Sequence, residues 1–437
     1  MKRQHDTNEE QVYIGWNGGV RGSGKRYVQM ASKDRRLPKY IIGKTGTGKS
    51  TLLENLIAQD IFYGRGVCVI DPHGDLVEKI IAEHIPRHRT NDVVYFNPAD
   101  NEFPFSINIL DGYNEKDREL AAASLVSVFR HIWGNSWGPR LEYVLYNTIA
   151  ALLEYEGSTF LDVYRMLTEE PFRRKVVQKI TDPVVKSFWQ VVYAGWSDRY
   201  ATEAVGPVLN KVGQLLGSRT MRSILCQQKS TIDFSKIMNK RKIFLVNLSK
   251  GQIGESRSSL LGSIIVTKLY LSALSRQGTK EENREDFYLY VDEFQNFATD
   301  AFENILSEAR KYRLNLTIAH QFLSQISPRM QEAVLGNAGT LLVFRVGSID
   351  AERLAKEFYP YKNFDDLCLQ ANYEITYKRI VDGEVSKPDF MYSMPPINWA
   401  RRKAVPGKVI RRSREVYGKK KKGTKIKKKA IKKREKT

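Results

Sequence analysis

Cysteine is scarce. Cys68, Cys226 and Cys368 are the only three in 437 residues, and they lie far apart without metal-ligand spacing. That excludes a disulfide framework and suits a reducing compartment. A long apolar run is also missing. The best stretch, Leu260 to Leu274, is broken by Lys268 and by several hydroxyls, and reads as too short and too polar to span a bilayer. Met1 to Glu10 is polar and charged, so no secretory leader is read there. No internal repeat is visible. Together these absences lead to the expectation of a soluble, cytoplasmic protein. Acidic charge is short in one place only. The chain carries 70 Lys and Arg against 49 Asp and Glu, a net +21, and from Arg401 to Thr437 there are 19 Lys/Arg and only two Glu. The excess is a tail and not a property of the body.

What is present is dominated by one motif. Gly43 to Ser50 reads G-K-T-G-T-G-K-S, the phosphate-loop pattern in which glycines let backbone amides approach phosphate oxygens. Gly43, Lys44, Thr45, Gly46, Thr47, Gly48, Lys49, Ser50 and Thr51 are the candidate nucleotide-binding residues. In this pattern Lys49 reaches the β/γ-phosphates of ATP and the Ser50 hydroxyl ligates Mg²⁺. The apolar strand Tyr40-Ile41-Ile42 precedes the loop, and a helix is expected after it, with its N-terminus aimed at the phosphates. A second G-x-x-x-x-G-K, from Gly19 to Lys25, is followed by Arg26 and lacks both the hydroxyl and the preceding strand. It reads as a flexible loop.

A second strand, Phe287 to Val291, runs into Asp292-Glu293. After a full phosphate loop, such a strand end supplies a metal carboxylate, Asp292, and a residue that orients or deprotonates the attacking water, Glu293. Gln321 follows the apolar strand Leu314 to Ala319 and is a candidate γ-phosphate sensor if the two strands are neighbours; otherwise it is a polar strand cap. His320 reads as a packing residue. His73 reads equally as a neighbour of the nucleotide or as a turn residue after Asp71. Arg310, Lys311 and Arg313 lie between these strands. An arginine there is a candidate charge clamp on a neighbouring subunit's nucleotide, with Arg345 as the second candidate; a surface ion pair is the commoner fate of such residues.

Strands also read at Val67–Ile70, Val93–Phe96, Lys242–Leu248 and Leu341–Val346, the last taken as the final buried strand, with a terminal hairpin around Tyr373–Tyr377 and Asp382-Gly383. Alternation with helices predicts an α/β fold with a mostly parallel sheet. Helical periodicity fills about residues 113 to 235. The expected division is an N-terminal segment (1–38), a RecA-like ATPase core in two parts (39–112 and 236–395), an inserted all-helical domain (113–235) and a disordered basic tail (396–437). The tail is expected to contact nucleic acid by counterion release, without sequence preference. A solubilising role or an anionic membrane surface are the alternatives.

In order, I-I-G-K-T-G-T-G-K-S-T-L-L (41–53), V-I-D-P-H-G-D-L (69–76), Y-V-D-E-F-Q-N-F (290–297), S-E-A-R-K-Y-R-L-N-L (307–316), I-A-H-Q (318–321) and G-N-A-G-T-L-L-V-F-R-V-G (336–347) resemble the FtsK/HerA superfamily of ring-forming DNA-pumping ATPases. Within it the chain is most similar to the conjugative type IV coupling proteins of the TraG/TraD-like group. The resemblance implies a homo-hexameric ring with DNA in its channel, ATP and Mg²⁺ held by Lys49, Ser50 and Asp292, Glu293 acting on water, Gln321 as sensor and Arg310 as the foremost arginine finger. Coupling proteins usually carry N-terminal transmembrane helices, and none is read here. Two readings follow: a soluble relative that docks on a membrane-embedded secretion or relaxosome partner, or one that serves repair, packaging or plasmid mobilisation instead. An ATP-gated adaptor that recruits DNA or protein cargo without moving it is the competing reading, and a small-molecule kinase the third.

Overall fold

The computed structural model describes residues 11–18, 24–299, 301–400 and 402–419. Its strands are β1 (Gln11–Asn17), β2 (Arg26–Ala31), β3 (Lys39–Ile42), β4 (Gly66–Asp71), β5 (Val93–Phe96), β6 (Ile243–Asn247), β7 (Phe287–Val291), β8 (Leu314–His320), β9 (Thr340–Val343), β10 (Glu374–Val381), β11 (Glu384–Val385) and β12 (Asp389–Tyr392). They form one sheet in the order β2-β1-β12-β10-β9-β3-β8-β7-β4-β6-β5, with β11 paired to β10 at the side. From β9 across to β5 every neighbouring pair is parallel. β10, β12, β1 and β2 extend the sheet with antiparallel pairs.

The parallel part is α/β for a simple reason. β4, β6, β7 and β8 are buried at every position, so both faces must be covered by helices. Alternate side chains divide between them. Ile41, Val67, Val69 and Leu245 pack with Leu53, Ile57, Val77 and Ile80 of helices Lys49–Phe62 and Asp75–Glu83. Ile42, Cys68, Ile70 and Val246 pack with Leu261, Ile265 and Leu269 of helix Glu255–Leu274. This last helix is long and apolar enough to cross a membrane, but 78% of its apolar window is buried inside the protein. It is the core helix of the sheet.

Between β5 and β6 the described residues contain helices and no strand. Arg118–Trp133, Pro139–Leu153, Phe160–Thr168 and Asp198–Gly217 are the main ones. Their apolar faces join the hydrophobic cluster under the core helix without a break. The neck of this insertion is tied to the core by Asp111, whose carboxylate accepts from the Ser230 backbone N–H at 2.9 Å and from Lys268 Nζ of the core helix at 3.2 Å.

Three expectations are corrected. The segment Leu341–Val346 is not the final buried strand: β9 stops at Val343, and β10 and β12 follow it with Ile375 and Met391 fully buried. Residues 11–31, read only as a leading segment, add two strands to the sheet. The tail begins later than residue 396. Helix Pro406–Tyr417 buries Val409 and Ser413 against edge strand β5, and Ser413 Oγ accepts the Tyr95 N–H at 2.8 Å. A charged stretch folds here because the spacing of Val409 and Ser413 puts both on one helix face, while Arg411 and Arg412 stay exposed and Arg414 pairs with Asp100 at 2.6 Å. The remaining residues of the expected tail, 420–437, lie outside the described residues, as do residues 19–23 of the second glycine-rich loop.

Candidate functional site

The sheet order decides the site. β8 lies between β3 and β7, so the carboxyl ends of these three strands place the phosphate loop, Gln321 and the Asp292-Glu293 pair side by side. Adjacent strands are about 4.8 Å apart, which sets the loop strand and the carboxylate strand about 10 Å apart. Crevices at the carboxyl ends of parallel strands are where such folds take ligands.

The loop is held in its shape by its neighbours. Gly48, the N-cap of helix Lys49–Phe62, has φ +116°, and a Cβ there would stand 2.7 Å from the Tyr373 ring. At Gly43 a Cβ would stand 2.5 Å from Phe344 Cβ. Larger residues are excluded at both. Lys44 N–H donates to Arg345 O at 2.9 Å, and Tyr373 N–H donates to Thr47 O at 2.8 Å. Lys49 is buried, and its ammonium donates to Gly43 O at 2.6 Å and Lys44 O at 3.1 Å. Burial pulls the Lys49 pKa below its ordinary value, opposed by the nearby carboxylates of Glu293 and Asp292. Lys44, Thr45, Gly46 and Ser50 are exposed, Thr47 is buried and its Oγ1 donates to Lys44 O, and Thr51 is half-buried.

Across β8, Asp292 is buried at the end of β7 and its Oδ1 accepts the Glu293 N–H at 3.0 Å. Its carboxyl pKa is pushed up to about 7 by burial, then by the charges of Asp71 and Glu293. Glu293 has φ +47°, a left-handed backbone that costs a residue other than glycine on the order of 1–2 kcal/mol. Each of its carboxylate oxygens accepts one side-chain hydrogen bond. Oε1 accepts from Gln321 Nε2 at 2.9 Å, and Oε2 accepts from Gln295 Nε2 at 2.7 Å. Gln321 Oε1 in turn accepts from Thr45 Oγ1 at 3.0 Å. One amide side chain thus joins the phosphate loop to Glu293. His320, just before it, is buried, shares a 2.5 Å hydrogen bond with Tyr40 OH, and has its pKa pushed down to about 4 by burial. It is a packing residue, as expected.

The arginines separate. Arg345 lies on the loop's own rim, its backbone carbonyl holding Lys44 and its guanidinium donating to Gln370 O at 3.4 Å. Arg310 is exposed in the turn Ala309–Tyr312 before β8. Seven strand residues separate that turn from Gln321, a distance of about 20 Å or more. Arg310 therefore cannot reach this chain's own loop. Arg313 pairs with Asp286 at 3.5 Å, while Lys311 is exposed and only its backbone carbonyl is engaged, accepting from Arg284.

Sequence reasoning misses Asp71 as a site residue, although it ends an apolar strand much as Asp292 does. Its Oδ2 accepts from Leu76 and Val77 N–H at 2.9 and 3.2 Å, and its Oδ1 from His73 N–H at 2.8 Å. It caps helix Asp75–Glu83, while the His73 side chain is exposed. Gln295 lies two residues beyond Glu293, inside the Y-V-D-E-F-Q-N-F stretch but with no signal of its own. Tyr373 and Phe344 reach the loop only through the pairing of β9 and β10, which no local pattern announces.

A parallel sheet with this loop, this carboxylate strand and β8 between them defines a RecA-like P-loop nucleotide-binding fold. Residues 28–359 match the family described as type IV secretion-system coupling protein DNA-binding domain, and the chain belongs to that family. It is 22% identical over 385 residues to the type 4 coupling protein DotL of Legionella pneumophila, covering 74% of this chain and 48% of that protein, so the chain spans about half the relative's length. Among solved structures it is similar to the bacterial conjugative coupling protein TrwBdeltaN70 in its unbound form, with a TM-score of 0.62, 15% identity, and 86% of this chain and 90% of that one covered. Plasmid coupling protein TrwB in complex with ADP and Mg²⁺ matches at a TM-score of 0.62 and 14% identity, with 85% and 88% covered.

Proposed function

We propose that the chain hydrolyses ATP to move DNA, working as a homo-hexameric ring of the coupling-protein type. The observation that carries this reading is the hydrogen-bonded series Thr45–Gln321–Glu293, which connects a phosphate loop to a carboxylate pair across one intervening strand. Family membership and the nucleotide-bound TrwB relatives support it.

In this reading the amides of Gly43 to Thr51 cradle the phosphates, and Lys49 leaves the loop carbonyls to neutralise them. The donor set fits Mg²⁺, because the Ser50 hydroxyl opens the helix and Asp292 is crowded by Asp71, a charge conflict that a divalent cation relieves. When bound, Mg²⁺ supplies charge stabilisation on the phosphoryl oxygens. Glu293 orients the water and takes its proton through lone pairs that its two amide partners leave open. Gln321 senses the γ-phosphate, since it already spans from the loop to Glu293. Arg310 serves a neighbouring subunit, and Arg345 stays with its own loop. The basic tail adds nonspecific capture of DNA.

The test is steady-state ATP hydrolysis with no DNA, single-stranded DNA or duplex DNA. Stimulation by one form supports a motor and names its track. Turnover indifferent to both favours an ATP-gated adaptor.

A further inference from the structure

The turn Phe294–Asn296, directly after Glu293, is bonded on two sides. On the site side Gln295 Nε2 donates to the Glu293 carboxylate at 2.7 Å. On the other side Asn296 is held by two parts of the molecule. Its Oδ1 accepts from Lys250 Nζ at 2.6 Å, and its backbone carbonyl accepts from His131 Nε2 at 3.3 Å. Lys250 stands beside the strand-end turn after Asp71, its N–H donating to Pro72 O at 2.9 Å. His131 belongs to helix Arg118–Trp133, the first long helix of the insertion. Asn296 Nδ2 also donates to Glu293 O at 2.7 Å, closing the turn on itself.

The turn is stiff. Phe294 and Phe297 are fully buried, Phe294 packs 4.6 Å from Phe302, and Phe297 lies against Gly262 of the core helix so closely that a Cβ there would stand 2.1 Å from its ring. A close-packed element of this kind moves as a unit and does not deform piecemeal. A displacement of the insertion helix at His131 would therefore be felt at Gln295, on the same rigid turn.

We infer that Gln295 is a positioning residue that restrains Glu293, and that the helical insertion sets this restraint through His131 and the turn Phe294–Asn296. Gln321 and Gln295 each donate to one oxygen, so the Glu293 carboxylate is pinned in a single orientation from both sides; release of the Gln295 amide frees it to turn toward a water. The inference rests on the reading of Glu293 as the group that activates water.

The experiment is ATP turnover by the full chain without DNA, with kcat and KM measured separately. Glu293→Gln is run alongside; if it retains turnover, the reading of Glu293 fails, whatever the other variants do. Gln295→Ala is expected to raise kcat about tenfold, the scale of one hydrogen bond to a charged group, with KM unchanged. His131→Ala is expected to raise kcat in the same direction, and the double variant to gain less than the product of the two. His131→Gln, which keeps an N–H within reach, is expected to return to the wild-type rate. Thermal unfolding of each variant separates loss of fold from loss of restraint. With Glu293→Gln inactive, an unchanged or lowered kcat in Gln295→Ala overturns the restraint. Strictly multiplicative effects, or a His131→Gln rate equal to that of His131→Ala, overturn the link to the insertion.

Discussion

Asp292, at the end of β7, stands beside Asp71, at the end of the neighbouring parallel strand β4, and their mutual repulsion adds to burial in keeping the Asp292 carboxyl protonated up to about pH 7. A carboxyl that ionises at about 3.9 in the unfolded chain and about 7 in the folded one makes the folded state bind more protons between those values. Stability without Mg²⁺ should therefore fall as pH rises from about 4 to 7 and level off above. Asp292→Asn removes the conflict. It is expected to raise the unfolding temperature at about pH 8 in chelator, by a gain on the order of 2 kcal/mol, and to give no gain near about pH 4. Calorimetry at the two pH values checks this. Equal effects at both would show that Asp71 and burial do not act on Asp292 in this way.

Arg310 and Arg345 predict opposite behaviour in mixed assemblies. Arg310 stands a strand's length from its own loop, so Arg310→Ala subunits should poison wild-type partners, with activity falling faster than the mutant fraction rises. Arg345, on the rim of its own loop, should lose activity in proportion. Titrating each variant into wild-type protein and following phosphate release separates the two. A proportional loss for Arg310→Ala contradicts a role in trans.

The folded C-terminal helix changes how the basic tail must be tested. Deleting from Arg401 would strip Ser413 from the Tyr95 N–H and expose the edge of β5, so a loss of DNA binding would be ambiguous. Deletion of residues 420–437 leaves that helix in place. It should weaken DNA binding and flatten its salt dependence, the log–log slope dropping by about 0.9 for each phosphate of duplex DNA that is no longer neutralised. Fluorescence anisotropy across a salt series measures the slope, and an unchanged slope removes these residues from the interface.

How much of the site is legible in the sequence depends on the range of the interactions involved. The phosphate loop, the Asp292-Glu293 strand end and Gln321 are readable because each is a short apolar strand ending in polar residues, which parallel topology carries to the same edge of the sheet. The neighbourhood of β7 and β8 is only an assumption until their pairing is seen. Gln295 is invisible as a neighbour of the Glu293 carboxylate because the contact is made by the turn Phe294–Asn296, which follows a left-handed Glu293 that no residue preference signals. Tyr373 reaches Gly48 only after the chain has turned through β9 and β10. The helix Pro406–Tyr417 is hidden by composition: the charge of the last residues outweighs the spacing of one apolar residue, Val409, and one hydroxyl, Ser413, which becomes meaningful only against the edge of β5.

ATP-driven movement of DNA is tested most directly by ATP hydrolysis by wild-type protein and by Glu293→Gln, each with no DNA, single-stranded DNA and duplex DNA, with ATP binding measured in parallel. One DNA form is expected to stimulate the wild type. Glu293→Gln is expected to bind ATP normally while its turnover falls by about 10²-fold or more, as for loss of a general base. Retained turnover in Glu293→Gln, or a wild-type rate indifferent to both DNA forms, would contradict a DNA motor built on Glu293.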